Sequence, residues 1–180
     1  LTNAHVGQYF LFKNTPVPGA VSCVVRSGSP AERRYEAELL YLPSAWVEAN
    51  ADNLTLETPT GTGENDYALL RITASVSEGA ALPQQFMFLT PSTDDAEVHT
   101  SDSVLLAAYP AGFLGSIAIE RGLYLVSSVA TVGTLYTFSE NTLDLFSMSG
   151  SVVAQQGASG GAVASARTAR LVGLIVTSTS

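Results

Sequence analysis

Gln156-Gly157-Ala158-Ser159-Gly160-Gly161-Ala162 is the stretch on which the reading of this chain turns. Ser159 stands between glycines on both sides. Glycine admits positive φ and lets neighbouring backbone N–H groups converge on one point. A nucleophilic serine needs such convergence, because attack on a carbonyl leaves negative charge on its oxygen. Ser159 is therefore a candidate nucleophile, and the N–H groups of Gly157 and Ser159 are the candidate oxyanion donors. Taken alone, the same stretch also reads as a Gly-rich turn between two strands.

A hydroxyl is a weak nucleophile until a base takes its proton, so the search moves outward to the histidines, of which the chain has 2. His5 lies in Leu1-Thr2-Asn3-Ala4-His5-Val6, among small and apolar residues. His99 lies in Glu97-Val98-His99-Thr100-Ser101-Asp102, a polar stretch that reads as surface. His5 is the better candidate base. The imidazole in turn needs a buried carboxylate to fix its tautomer and stabilise its charged form. Asp66 opens Asp66-Tyr67-Ala68-Leu69-Leu70-Arg71-Ile72, and a charge at the mouth of an apolar strand is costly unless paired. Pairing with a histidine N–H resolves that cost, although Asp66 by itself also reads as an ordinary loop aspartate. The three follow one another as His, Asp, Ser, one of the few chain orders in which such triads occur.

Composition narrows the classes. A chain of 180 residues, 46% hydrophobic and 13% charged, can build one sizeable core or two small packed lobes and is not expected to be disordered. A formal net charge of −8 argues against a phosphate-backbone binder and against anionic membrane surfaces, so no nucleic-acid partner is expected. No run of about 18 apolar residues predicts a membrane span within the chain. The single cysteine, Cys23, cannot close an internal disulfide. Two histidines and one cysteine far apart form no zinc constellation, and Asp94, Asp95 and Glu97 match no calcium-loop spacing. No metal and no cofactor are expected.

Short apolar runs bounded by Gly and Pro turns predict strands at Ala20–Val25, Tyr35–Tyr41, Asp66–Ile72, Val104–Tyr109, Ser116–Ile119, Leu123–Val132 and Leu171–Thr177. Helical signals are few: a short turn over Ala4–Phe12, and Ser44–Asn50 with Ser44 as its N-cap. Asn50–Asn65 reads as a solvated loop. The polar stretch Thr90–Glu97 suggests two lobes, 1–95 with His5 and Asp66, and 96–180 with Ser159.

Thr2-Asn3-Ala4-His5-Val6, Asp66-Tyr67-Ala68-Leu69-Leu70-Arg71 and Gly157-Ala158-Ser159-Gly160-Gly161 resemble the three hallmark motifs of trypsin-like peptidases of the chymotrypsin superfamily, with most likeness to the bacterial HtrA/Deg-type branch. Ser101 to Gly112 resembles that branch's first strand of the second barrel, and Leu171 to Val176 resembles the strand lining the substrate cleft. The resemblance implies an all-β, chymotrypsin-like double β-barrel of two Greek-key lobes. It implies a serine endopeptidase with the triad His5, Asp66 and Ser159, acting on polypeptide through an acyl-enzyme. It places Val153, six residues before the serine, at the base of the primary pocket. Ala154, Gln156, Val176 and Thr177 are the other substrate-binding candidates. Such a pocket prefers apolar or small side chains.

The chain also departs from the family pattern. Residue 158 is alanine, where zymogens of the family usually carry aspartate to pair with a new N-terminus and HtrA-type members tend to carry asparagine. The Gln155 to Gly157 loop is thus expected to switch between formed and collapsed oxyanion holes. Only four residues precede His5, so the first barrel is expected to lack its N-terminal strands in this chain, with complementation from a cleaved segment, another chain or a neighbouring region. A bacterial exported or membrane-anchored precursor fits this pattern, with the compartment open. The alternative reading is a proteolytically inactive binding or regulatory module on the same fold.

Overall fold

The Tyr35–Tyr41 run becomes a longer strand, Glu32–Tyr41, whose inward side is Tyr35, Ala37 and Leu39 and whose outward side carries Arg34, Glu36 and Glu38, with Leu40 exposed beside them. In the computed structural model, which describes residues 1–13, 23–55, 63–111, 122–139, 142–154 and 157–176, this strand is the centre of the first of two antiparallel sheets. β1 (Val24–Ser27), β2 (Glu32–Tyr41) and β3 (Leu69–Ser75) lie in the order β1-β2-β3. Ala37 faces Ile72 and Leu39 faces Leu70, while on the outward face Glu38 stands opposite Arg71 and pairs with its guanidinium. Cross-strand pairing of this kind fixes register, because a one-residue slip would send the apolar set outward.

Two short helices accompany this sheet. α1 (Ala4–Gly7) runs into a 3-10 turn over Gln8–Phe12, as the sequence predicts for Ala4–Phe12. α2 (Ser44–Asn50) has its predicted span, but Ser44 is its first helical residue and not its cap. Pro43 takes the cap position in an extended conformation, and its carbonyl accepts the first helical bond from Val47 N–H at 3.1 Å. Proline's fixed φ sets that entry without a side-chain acceptor.

The second sheet holds five strands in the order β6-β5-β4-β7-β8: β4 (Ser103–Ala108), β5 (Val126–Tyr136), β6 (Leu145–Ser149), β7 (Ala162–Ser165) and β8 (Leu171–Leu174). The inward face of β4 is Val104, Leu106 and Ala108, which pair with Ala130, Ser128 and Val126 of β5. Leu106 also lies opposite Val163 on β7 and is fully buried. Val104, Leu106, Ala108, Ala130 and Val163, with Val98, Val132, Val153, Ala158 and Ile175, form one core, against which Val126 packs.

The expected Leu123–Val132 strand starts later, at Val126, and runs on to Tyr136. The reason is local: the Leu123 carbonyl accepts from Ala31 N–H at 2.7 Å, and Leu125 N–H donates to Ser29 Oγ at 3.3 Å. β6 and β7 carry Ser, Ala and Met in place of a β-branched run, and the sequence reading does not find them. Predicted strands over Ser116–Ile119 and the Ala20–Ser22 part of the first one lie outside the described residues.

The described residues form two compact units, Leu1–Ser27 with Glu32–Pro83, and Gly28–Ala31 with Gln84–Ser180. Pro83/Gln84 thus separates the units, and the polar Thr90–Glu97 stretch belongs to the second. Mostly β-strand, in two antiparallel sheets with few helices, the architecture is that of the chymotrypsin-like class. Among the described residues no helix is long and apolar enough to cross a membrane.

Candidate active site

The ladder that begins at Thr2 places His5 beside Asp66. Thr2 and Ala68 exchange both backbone hydrogen bonds, Thr2 N–H to Ala68 at 3.0 Å and Ala68 N–H to Thr2 at 2.7 Å. Immediately after this rung the chain turns into α1, which carries His5. The His5 backbone N–H donates to Asp66 Oδ1 at 2.9 Å, and the ring Nδ1 faces Asp66 Oδ2 at 2.6 Å. The Asp66 side chain is only 5% exposed, against 35% for His5. A buried carboxylate this close assigns the proton to Nδ1 and leaves Nε2 as the basic nitrogen. Gly7 lets α1 sit tightly on this rung, since a Cβ there would come within 2.6 Å of Ala68 Cβ.

Beside Asp66, the ring of Tyr67 stacks on Tyr41 with centroids 6.0 Å apart. Its hydrogen bond to Tyr41, together with burial, pushes the Tyr67 phenol above its ordinary value. His99 belongs to an exposed turn, where its backbone N–H donates to Asp102 Oδ2 at 2.9 Å. The fold thus brings His5, and not His99, against a buried carboxylate.

Ser159 belongs to the second unit, half-buried in the loop before β7. Its Oγ donates to the Val176 carbonyl at 3.4 Å. The loop is shaped by its glycines. Gly157 has φ +85°, and a Cβ there would lie 2.6 Å from Ala111 Cβ, so both conformation and space demand glycine. Gly160 N–H donates to Ile175 and Gly161 N–H to Ala158, each at 2.9 Å. Among the described residues the N–H groups of Gly157 and Ser159 donate to no protein acceptor.

Val153 is fully buried in the second unit's core, as is Ala158, the residue before the serine. Ala154 and Val176 are half-buried, whereas Val152 is exposed. Gln156 and Thr177 lie outside the described residues, as does most of the Gln155–Gly157 loop expected to switch.

The three acids considered for calcium serve as acceptors within the protein: Asp94 Oδ1 from Ala96 N–H at 2.9 Å, Asp95 Oδ2 from Leu143 N–H at 3.1 Å, and Glu97 from the hydroxyls of Ser92 and Thr168. Among the described residues no group of three or more His, Cys, Asp or Glu side chains is placed to hold a metal ion. The sequence reading passes over Asn3, which is fully buried and donates from Nδ2 to the Asp66 carbonyl at 3.0 Å. A carboxamide within the small, apolar segment around His5 is the signal that could have marked it.

Searches of the curated proteins and of the solved structures each return no match to the chain. A family model described as trypsin-like peptidase domain matches residues 1–174. Matched over nearly its whole length, the chain belongs to the trypsin-like peptidase domain family.

Proposed function

We propose that this chain is a serine endopeptidase of the HtrA/Deg-type branch that cleaves polypeptides through an acyl-enzyme. The observation that carries the reading is the double contact of His5 with the buried Asp66 carboxylate, which makes Nε2 the proton acceptor. In this mechanism Ser159 Oγ attacks the scissile carbonyl carbon while its proton passes to His5 Nε2. The backbone N–H groups of Gly157 and Ser159 take the oxyanion. The imidazolium then protonates the leaving amine, and the C–N bond breaks. A water molecule, deprotonated by the same nitrogen, attacks the ester, and collapse returns the proton to Ser159. The mechanism requires Nε2 within hydrogen-bond reach of Ser159 Oγ.

The finer assignments rest on the motifs. Thr2-Asn3-Ala4-His5-Val6 supports the branch. Val153, six residues before Ser159, with Ala154 beside it, supports a primary pocket that prefers small or apolar side chains. A peptide library cleaved mainly after Arg or Lys would refute that preference.

A fluorophosphonate probe tests the activity. The parent protein should label on one serine, and Ser159→Ala should not label. A folded parent that fails to label would favour the inactive binding module.

A further inference from the structure

Asn3 is fully buried, two residues before His5, and the mechanism above gives it no task. An antiparallel ladder that closes one hydrogen-bonded pair at Thr2 and Ala68 would close the next two residues on, with Ala4 opposite Asp66. Ala4 instead opens α1, so the ladder ends and the Asp66 carbonyl lacks that backbone partner. Asn3 Nδ2 donates to that carbonyl at 3.0 Å, standing where the missing main-chain donor would be.

The backbone it holds is a tight one. Tyr67 N–H donates to the Asn65 carbonyl at 2.8 Å, which puts Asp66 at the centre of a three-residue turn, and Asn65 itself has φ +55°. The Asn3 main-chain carbonyl meanwhile accepts from Gly7 N–H at 2.8 Å, a bond that anchors α1. One residue therefore ties the helix bearing His5 to the turn bearing Asp66. Asn3 Oδ1 is buried with no partner among the described residues. An unpaired buried acceptor is destabilising, so a residue filling only this volume would be better apolar.

We infer that Asn3 is a positioning residue: through its Nδ2–H to the Asp66 carbonyl it sets the carboxylate against His5. The inference rests on the peptidase reading for its effect on turnover, but not for its effect on the His5–Asp66 contact.

Asn3→Leu keeps the branched shape in a somewhat bulkier side chain and removes the donor, and Asn3→Ala removes both shape and donor. Two signals are read. One is the low-field proton resonance of His5 Nδ1–H, assigned by its loss in His5→Gln. The other is the split between kcat and KM on a fluorogenic peptide. Both variants should fold, broaden or lose the resonance, and lower kcat about tenfold to a hundredfold with KM little changed. Asn3→Leu that keeps the parent's resonance and kcat would overturn the inference, as would loss of both signals in Asn3→Ala alone. If Leu prevents folding, Asn3→Ala is read by the same signals. Unfolding of both variants would make Asn3 a structural residue and also overturn it. A parent that shows the resonance but no turnover would remove the peptidase reading and leave this one standing.

Discussion

Asp66 meets His5 twice, taking its backbone N–H on Oδ1 at 2.9 Å and facing its ring Nδ1 with Oδ2 at 2.6 Å. One carboxylate thus sets both the position of the histidine and the side of the ring that holds the proton. Asp66→Asn keeps the shape but offers an amide where Nδ1 needs an acceptor. In triads of this kind the wrong tautomer costs about ten-thousand-fold in kcat. The variant should fold with nearly the parent's melting temperature and lose turnover on that scale, measured with a fluorogenic peptide. Retained turnover would remove Asp66 from the mechanism.

Gly157 and Gly161, each two residues from Ser159, should separate chemistry from packing. Gly157→Ala places a Cβ at φ +85° and against Ala111, which should displace a donor from the oxyanion position and cut kcat about a hundredfold or more. Gly161→Ala brings its Cβ within 2.6 Å of Ala108 Cβ and 2.9 Å of the Ala158 carbonyl. That change should lower the melting temperature of the second unit, followed by calorimetry.

Glu97 gives the second unit an acid sensitivity with a definite sign. Hydrogen bonds from Ser92 and Thr168 hold its carboxyl below the ordinary value of 4.5, helped by Arg170 and Arg167. A carboxyl lowered in the folded state adds stability that is full above its unfolded value and is lost as pH falls through the folded one. Melting curves of the parent and Glu97→Gln should therefore differ most near neutral pH and converge as the pH drops below 4.5. A gap that stays constant from pH 7 to pH 3 on the order-of-magnitude reasoning of proton linkage would contradict it.

Cys23 is buried, and its Sγ donates to the Tyr9 carbonyl at 3.4 Å. Burial pushes its thiol above the ordinary value, with Lys13 opposing. The thiolate is the reactive form. A disulfide reagent at neutral pH should modify the native protein far more slowly than the unfolded chain. Equal rates would show that the thiol is open in the folded state.

The sequence makes the site legible where chemistry demands a combination of residues. A serine among glycines, a histidine in a small-residue segment and an aspartate opening an apolar strand each have an ordinary reading alone, and the candidate site is legible from their combination and their order along the chain. The strands at Tyr35–Tyr41 and Val104–Tyr109 are legible as short apolar runs bounded by turn signals, and the structure has them at Glu32–Tyr41 and Ser103–Ala108. β7 is not, because Ala-Val-Ala-Ser owes its place in the sheet to pairing with β4 and to its small side chains, not to β-propensity. Asn3 escapes for a related reason. Its partner is the Asp66 carbonyl, 63 residues away, and its value appears only once the ladder ends at Ala4. The Ser44 cap fails because Pro43 already fixes the entry geometry that a side-chain cap would supply.

Whether His5 and Ser159 work as one catalytic unit is tested most directly by a double-mutant cycle on peptide cleavage. His5→Ala, Ser159→Ala and the double variant should lose nearly the same activity, on the order of a millionfold each. Independent losses that multiply in the double variant, or full activity in either single variant, would contradict the account.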